Sequence, residues 1–199
     1  LRPAFSVVLR PTFLAAPDQF GLSIAVALAV LDAVRTVLPP AAAETVRIKW
    51  PNDVYVGSRK VGGILIENGL RGSQLNTSIV GIGLNVNQLA FDPALLNPTS
   101  LAVAAGGPLD RAAVLAELLA RLEARYLALR GGAAERQRAE YLTRLYRCGE
   151  PARFAFADGR PEAVGTIRGI DARGALRVEL AHGPESFGVQ EIRFVEQRG

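Results

Sequence analysis

The stretch from Lys49 to Glu67, KWPNDVYVGSRKVGGILIE, limits what this chain can fold into more than any other. Val46, Ile48 and Trp50 alternate with Arg47 and Lys49, which is the period-two pattern of a half-buried strand. Pro51 pushes Trp50 out of the helical region, so that strand ends there. Val54-Tyr55-Val56 resumes a strand, Gly57-Ser58 supplies a turn, and Lys60 to Glu67 returns as the other arm of a hairpin. Asp53 opens the outgoing arm and Lys60 the returning one, so a short hairpin sets the two charges near the same end. Gly62-Gly63 removes side chains just beyond Lys60, which admits close approach by a ligand or by another backbone.

Of the 23 lysines and arginines, only Lys49 and Lys60 are lysines. A guanidinium is a planar fork and an ammonium a compact point charge, so the exception matters wherever geometry decides. Strand parity puts Lys49 on the face with Arg47, leaving open a site residue or a solvated strand lysine. A second informative strand is Ile79 to Asn87 (IVGIGLNVN), whose Val80, Ile82, Leu84 and Val86 form one apolar face. Gly81, Gly83 and Asn85 lie on the other. Two glycines weaken a strand, so either they floor a flat ligand or they allow tight packing against a neighbouring helix.

Around these strands the chain reads as one domain of ordinary size followed by a small module. Ala4 to Arg10 is a strand. Pro17-Asp18 opens a helix to about Leu38, closed by Pro39-Pro40. Its apolar core from Ile24 to Leu31 is soon interrupted by Asp32 and Arg35, short of the roughly 18 apolar residues of a membrane span, so a buried core helix is expected. Asn68 to Asn76 reads as a loop. Asp110 is the N-cap of a helix to about Arg130, Gly131-Gly132 breaks it, and a further helix covers about 134 to 147. After Cys148 come short β-rich runs separated by turn signals, which suggest a small barrel.

Net charge is +4, yet the arginines are scattered among acids without a basic run, so no nucleic-acid partner is expected. One cysteine, Cys148, forms no internal disulfide and fits a reducing compartment; it is expected to be semi-buried. With one histidine, His182 in a solvated turn, a protein-built zinc site is not expected.

Lys49-Trp50-Pro51-Asn52-Asp53, followed by Lys60 and by Gly63-Ile64-Leu65-Ile66-Glu67, resembles the signature of the biotin–protein ligases. Gly81, Gly83 and Asn85 match the Gly-x-Gly-x-Asn strand that lines the adenylate pocket of that family, and Pro98-Thr99-Ser100-Leu101 resembles its Thr-Ser segment. The resemblance implies an α+β fold: a mixed β-sheet packed with helices, of the class II synthetase or biotin–lipoyl ligase-like kind, followed by a small SH3-like β-barrel. Residues 1–147 would form the catalytic domain and 148–199 the C-terminal domain. It also implies a cytoplasmic, ATP-dependent enzyme that makes biotinyl-5′-AMP and passes biotin to a lysine of a biotin carboxyl carrier domain, with no membrane partner and, as in many family members, homodimers formed through the sheet.

On that reading Lys60, Asp53 and Asn52 are the catalytic candidates. Lys49, Lys60, Gly62, Gly63, Ile64, Leu65, Gly81, Gly83 and Asn85 would bind biotin and its adenylate, and Asp53 would reach Mg²⁺ through the phosphates. The family also carries an upstream Gly/Arg-rich loop of the type GRGRxGR and a Thr-Asn/Ser segment. Neither occurs here and the chain has no methionine, so the expectation is an N-terminally incomplete sequence or a degenerate homologue. A lipoate–protein ligase, or a non-catalytic module that binds biotin or a carrier, are the alternative readings.

Overall fold

An apolar helix surrounded by protein organises the first two-thirds of the chain. In the computed structural model, which describes residues 4–195, a 3-10 turn at Ala16–Asp18 leads into α1 (Phe20–Val37). Its residues from Ile24 through Leu31 are all buried, on every side of the helix. A helix apolar all round must be covered all round. Ala16–Val37 is long and apolar enough to cross a membrane, but here it is a core helix, packed on the sheet, on α4 (Arg111–Arg130) and on α5 (Ala134–Thr143).

The sheet has five strands in the order β1 (Ala4–Leu9), β5 (Gln74–Leu84), β4 (Arg59–Arg71), β3 (Asp53–Val56) and β2 (Val46–Lys49). A short helix, α2 (Pro40–Ala43), connects α1 to β2. Every pair of named strands is antiparallel, where a mixed sheet was expected; parallel pairing is confined to isolated bridges such as Ile48–Leu145 and Lys60–Pro98. The reason is connectivity: β2 through β5 are joined by short turns, and short turns can only make antiparallel neighbours.

The expected loop at 68–76 is also corrected. β4 and β5 run through it as a two-stranded ribbon and turn at Gly72, whose φ of +62° suits glycine. Its Gly, Ser and Asn content disguised a ladder that side chains reinforce. Asn68 donates to Gln19 and accepts from the Ser78 hydroxyl.

Val80, Ile82, Leu84 and Val86 are buried toward the helices, as their alternation requires. Asp110 caps α4 through the Ala112 amide, and Ser100 caps α3 (Leu101–Ala105) through that of Val103. Arg125 on α4 reaches Asp32 on α1 at 2.8 Å and Glu140 on α5 at 2.6 Å, pinning three helices with one guanidinium.

A second antiparallel sheet orders β10 (Ile192–Phe194), β6 (Pro151–Phe156), β7 (Ala163–Ile170), β8 (Leu176–Leu180) and β9 (Gly183–Phe187). It is fastened to the first unit at several points. Ile48 exchanges backbone hydrogen bonds with Arg144 and Tyr146, the Trp50 indole donates to the Gly174 carbonyl at 2.9 Å, and Arg138 donates to the Ile170 and Asp171 carbonyls. Cys148 is exposed rather than semi-buried, because it lies in the connector, where its thiol donates to the Ile167 carbonyl. His182 is exposed beside Glu185, as a turn residue should be.

Two outcomes follow from this packing. Gly174 has φ +88° and a Cβ there would lie 2.1 Å from the Phe20 ring, so Gly174→Ala should destabilise the fold by about 2 kcal/mol or more in thermal unfolding. The Glu140 carboxyl is held below its ordinary value by hydrogen bonds from Arg125, against the opposing effect of burial. A depressed carboxylate pKa stabilises above the unfolded value and loses that contribution as pH falls through the folded one. Glu140→Gln should therefore cost about 1–2 kcal/mol at pH 7, and the difference from wild type should shrink toward zero in urea melts below about pH 4.

Candidate functional site

β3 is only four residues long, and β4 begins three residues after it ends. The hairpin is thus short enough to return Lys60 to Asp53, helped by a register shift between Val54 and Tyr55. The Lys60 ammonium lies 2.6 Å from an Asp53 carboxylate oxygen. With side chains 41% and 24% exposed, the pair sits at a mouth rather than in the core. So placed it adds little to stability but can be reached by a ligand. A Cβ on Gly63 would stand 3.2 Å from the Asp53 oxygen and 3.5 Å from the ammonium, so glycine keeps the pair uncrowded.

Asn52 sets the entry to β3. Its side-chain amide donates to the Ile64 carbonyl, and the Ile64 amide donates back to the Asn52 carbonyl, both at 2.8 Å. This exchange fixes the 50–52 bend against β4, and with it the starting point of Asp53.

Asn85 closes the other side. Its side-chain amide donates to the Thr99 carbonyl at 2.9 Å, the Thr99 amide donates to the Lys60 carbonyl, and the Lys60 amide donates to the Asn97 carbonyl. The 97–101 segment is thereby laced between Lys60 and Asn85. Ser100, fully buried, then starts α3.

Two recesses meet at Lys60, Gly63 and Gly83. One, about 350 Å³, is lined by Asn52, Asp53, Ile64, Leu65, Gly81 and, from β1, Phe5 and Ser6. The other, about 270 Å³, is lined by Gly62, Asn85, Leu95, Leu96 and Pro98. The glycines differ in kind. A Cβ on Gly62 would lie 2.8 Å from the Gly83 carbonyl oxygen, so Gly62 is there for strand packing. On Gly83 a Cβ would meet nothing closer than 4.0 Å, and on Gly81 nothing closer than 3.6 Å. Packing within the chain does not demand those two glycines, and both line the larger recess.

The structure thus brings together Asn52, Asp53, Lys60, Gly62, Gly63, Ile64, Leu65, Gly81, Gly83 and Asn85. It does not bring Lys49 to them. The Lys49 ammonium accompanies the Tyr55 hydroxyl at 3.0 Å and lies 4.9 Å from the Tyr55 and Phe194 ring centroids, toward the second sheet. Phe5, Ser6, Leu95 and Leu96 line the recesses without having been singled out in the sequence. Ser6 is legible only once its register against Gly81 is known. A larger cleft of about 480 Å³ between the two units carries Arg59, Arg147 and Arg153 but not Lys60. Among the described residues no group of three His, Cys, Asp or Glu side chains is placed to hold a metal.

The chain matches the Biotin/lipoate A/B protein ligase family over residues 3–85 and the Biotin protein ligase C terminal domain over residues 148–193. It is 36% identical to a biotin–[acetyl-CoA-carboxylase] ligase of Paracoccus denitrificans, over 96% of this chain and 79% of that one. It is also 36% identical to the ligase of the same name from Mycobacterium tuberculosis, over 80% of this chain and 56% of that one. Its fold is similar to that of a biotin protein ligase from Aquifex aeolicus solved in complex with biotin and ATP, with a TM-score of 0.75 and 25% identity over 98% of this chain and 78% of the other.

The lacing makes two stability predictions. Asn85→Ala should cost about 1–2 kcal/mol in chemical unfolding, since it strips a donor from a buried carbonyl. Gly62→Ala should cost about 1–3 kcal/mol by forcing β4 from β5, whereas Gly83→Ala should stay within about 0.5 kcal/mol of wild type.

Proposed function

The chain belongs to the biotin–protein ligase family, and from that premise we propose that it activates biotin with ATP and transfers the biotinyl group to a lysine of a biotin carboxyl carrier domain. The observation that carries this reading is the Lys60–Asp53 pair at the junction of two recesses over a glycine floor. A carboxylate and a polyphosphate repel one another, and joining them requires a cation on the wall that both share. Lys60 occupies that wall. Its ammonium neutralises the attacking carboxylate and the charge that develops on phosphorus, the preorganised stabilisation that lowers such barriers most.

In the first step a biotin carboxylate oxygen bonds to the α-phosphorus as the bond to pyrophosphate breaks, giving biotinyl-5′-AMP. In the second, the acceptor lysine amine attacks the acyl carbon, AMP leaves with the bonding electrons, and the amine loses a proton. Gly63, Leu65, Gly81 and Gly83 would seat biotin in the larger recess, with Ile64 bordering it while its side chain lies in the core. Gly62, Asn85 and Leu95 would seat the nucleotide in the smaller.

Among the described residues that line the two recesses, Asp53 is the carboxylate that would be offered to Mg²⁺. That fits a metal usually held by one or two carboxylates plus substrate phosphates. Asn52 acts on this site by holding the bend that delivers Asp53. We assign residues 1–147 to the catalytic domain and 148–199 to an SH3-like C-terminal domain, since all strands of the second sheet fall between 151 and 194. The match to a biotin ligase C-terminal domain favours biotin over lipoate as the acid. The single cysteine is consistent with a reducing, cytoplasmic setting.

The test is pyrophosphate release with ATP and Mg²⁺, compared for biotin, lipoate and no acid. Release should require biotin, and Lys60→Ala should lower it by about 10²-fold or more with an unchanged melting temperature. Release indifferent to biotin, or unaltered in Lys60→Ala, overturns the assignment. Gly83→Val should abolish biotin binding by filling the floor, measured by titration calorimetry; unaltered affinity would put biotin elsewhere.

A further inference from the structure

Lys49 and Trp50 begin the motif that ends in Asn52 and Asp53, yet their side chains face the second sheet. Lys49 is the last residue of β2 and stands directly opposite Asp53 in the β2–β3 register. Its ammonium is held by the Tyr55 hydroxyl and by the faces of Tyr55 and Phe194. Those rings belong to a chain of aromatics that crosses between the two units. Tyr55 on β3 packs on Tyr146 in the connector at 5.1 Å, Tyr146 packs on Phe194 of β10 at 6.0 Å, and Phe194 on fully buried Phe154 of β6 at 4.9 Å. The next residue, Trp50, is hydrogen-bonded to Gly174, in the turn before β8. Around them lies a partly filled recess of about 280 Å³, lined by Lys49, Trp50, Pro51, Leu96, Phe154, Leu176 and others.

We infer that Lys49 is a positioning residue: it clamps the C-terminal sheet, through Phe194, to the strand pair that presents Asp53 to Lys60. The physical case is that a cation between aromatic faces gains most where water is largely excluded, and Tyr55 is only 3% exposed. Because Lys49 and Asp53 are cross-strand partners, any shift of the C-terminal sheet that drags β2 also moves Asp53 relative to Lys60. Leu96 lines both this recess and the smaller one beside Lys60, so the two share a wall. The motif therefore has two ends: Lys49 and Trp50 grip the second unit, and Asn52 and Asp53 serve the site. Only the kinetic part of this inference rests on the ligase reading.

A double-mutant cycle between Lys49→Met and Phe194→Leu tests it, followed by chemical unfolding and by pyrophosphate release. In unfolding, the two changes should be non-additive, with a coupling of about three- to thirtyfold in the equilibrium constant, and Lys49→Arg should recover most of the loss because a guanidinium also stacks on rings. In turnover, each single variant should lower kcat about tenfold while leaving KM for biotin and ATP within about twofold, the pattern of displaced machinery rather than of a lost ligand. Additive unfolding effects overturn the clamp. A rise in KM for ATP in Lys49→Met without one in Phe194→Leu also overturns it, since Lys49 would then touch substrate. If Lys49→Met fails to fold, Tyr55→Phe, which keeps the ring and removes only the hydroxyl, takes its place in the cycle. If the wild-type chain releases no pyrophosphate, the ligase reading fails and the unfolding cycle alone decides the clamp.

Discussion

The covering of α1 is the constraint on which the rest depends. A helix buried on all sides needs a dry sheet face beneath it and further helices above it. The inner face of the first sheet, with Val54, Ile64, Val80, Ile82 and Leu84, supplies the first, and α4 and α5 the second. Committing that face to the core leaves the opposite face of the same strands for chemistry. Gly81 and Gly83 alternate with Val80, Ile82 and Leu84, so the residues that seal the core also set out the floor of the site.

The site itself is built more from backbone than from side chains. Asn52 and Ile64 exchange hydrogen bonds across the bend, Lys60 is laced to Asn97 and Thr99, and Asn85 holds Thr99. The charged pair is small and half-exposed, and its precision comes from that rigid surround. This is the arrangement expected of a site that must bring two anions together without rearranging as they react. The helix staple at Arg125 and the grip of Trp50 on Gly174 act at a distance to the same end, by fixing what carries the strands.

Much of this was legible in residue order. The hairpin, the Asp53–Lys60 proximity, the apolar face of 80–86 and the cap at Asp110 follow from alternation, turn chemistry and helix-start chemistry, whereas the cap at Ser100 emerged only in the structure. Where local composition misled, it did so for a physical reason. The Gly-, Ser- and Asn-rich stretch at 68–76 lacks strand-forming residues, but two long strands already paired on one side extend through it because each added ladder bond needs no new chain closure. Strands β2 to β5 are antiparallel where a mixed sheet was expected, because the short turns that join them leave no room for a crossover.

Sequence alone therefore determined which residues are chemically suited to the site: two lysines in an arginine-rich chain, an Asn-Asp bend, and a glycine floor on a strand with one sealed face. Tertiary structure decided how they divide. It sent Lys60 to Asp53 and Lys49 to Tyr55 and Phe194, assigned Gly62 to strand packing and Gly83 to open space, and drew Ser6 and Leu95 into the recesses. The periodicity of a strand fixes the face on which a side chain lies. What that face meets depends on which distant strand, loop or domain is packed against it, and that is set only when the whole chain has closed.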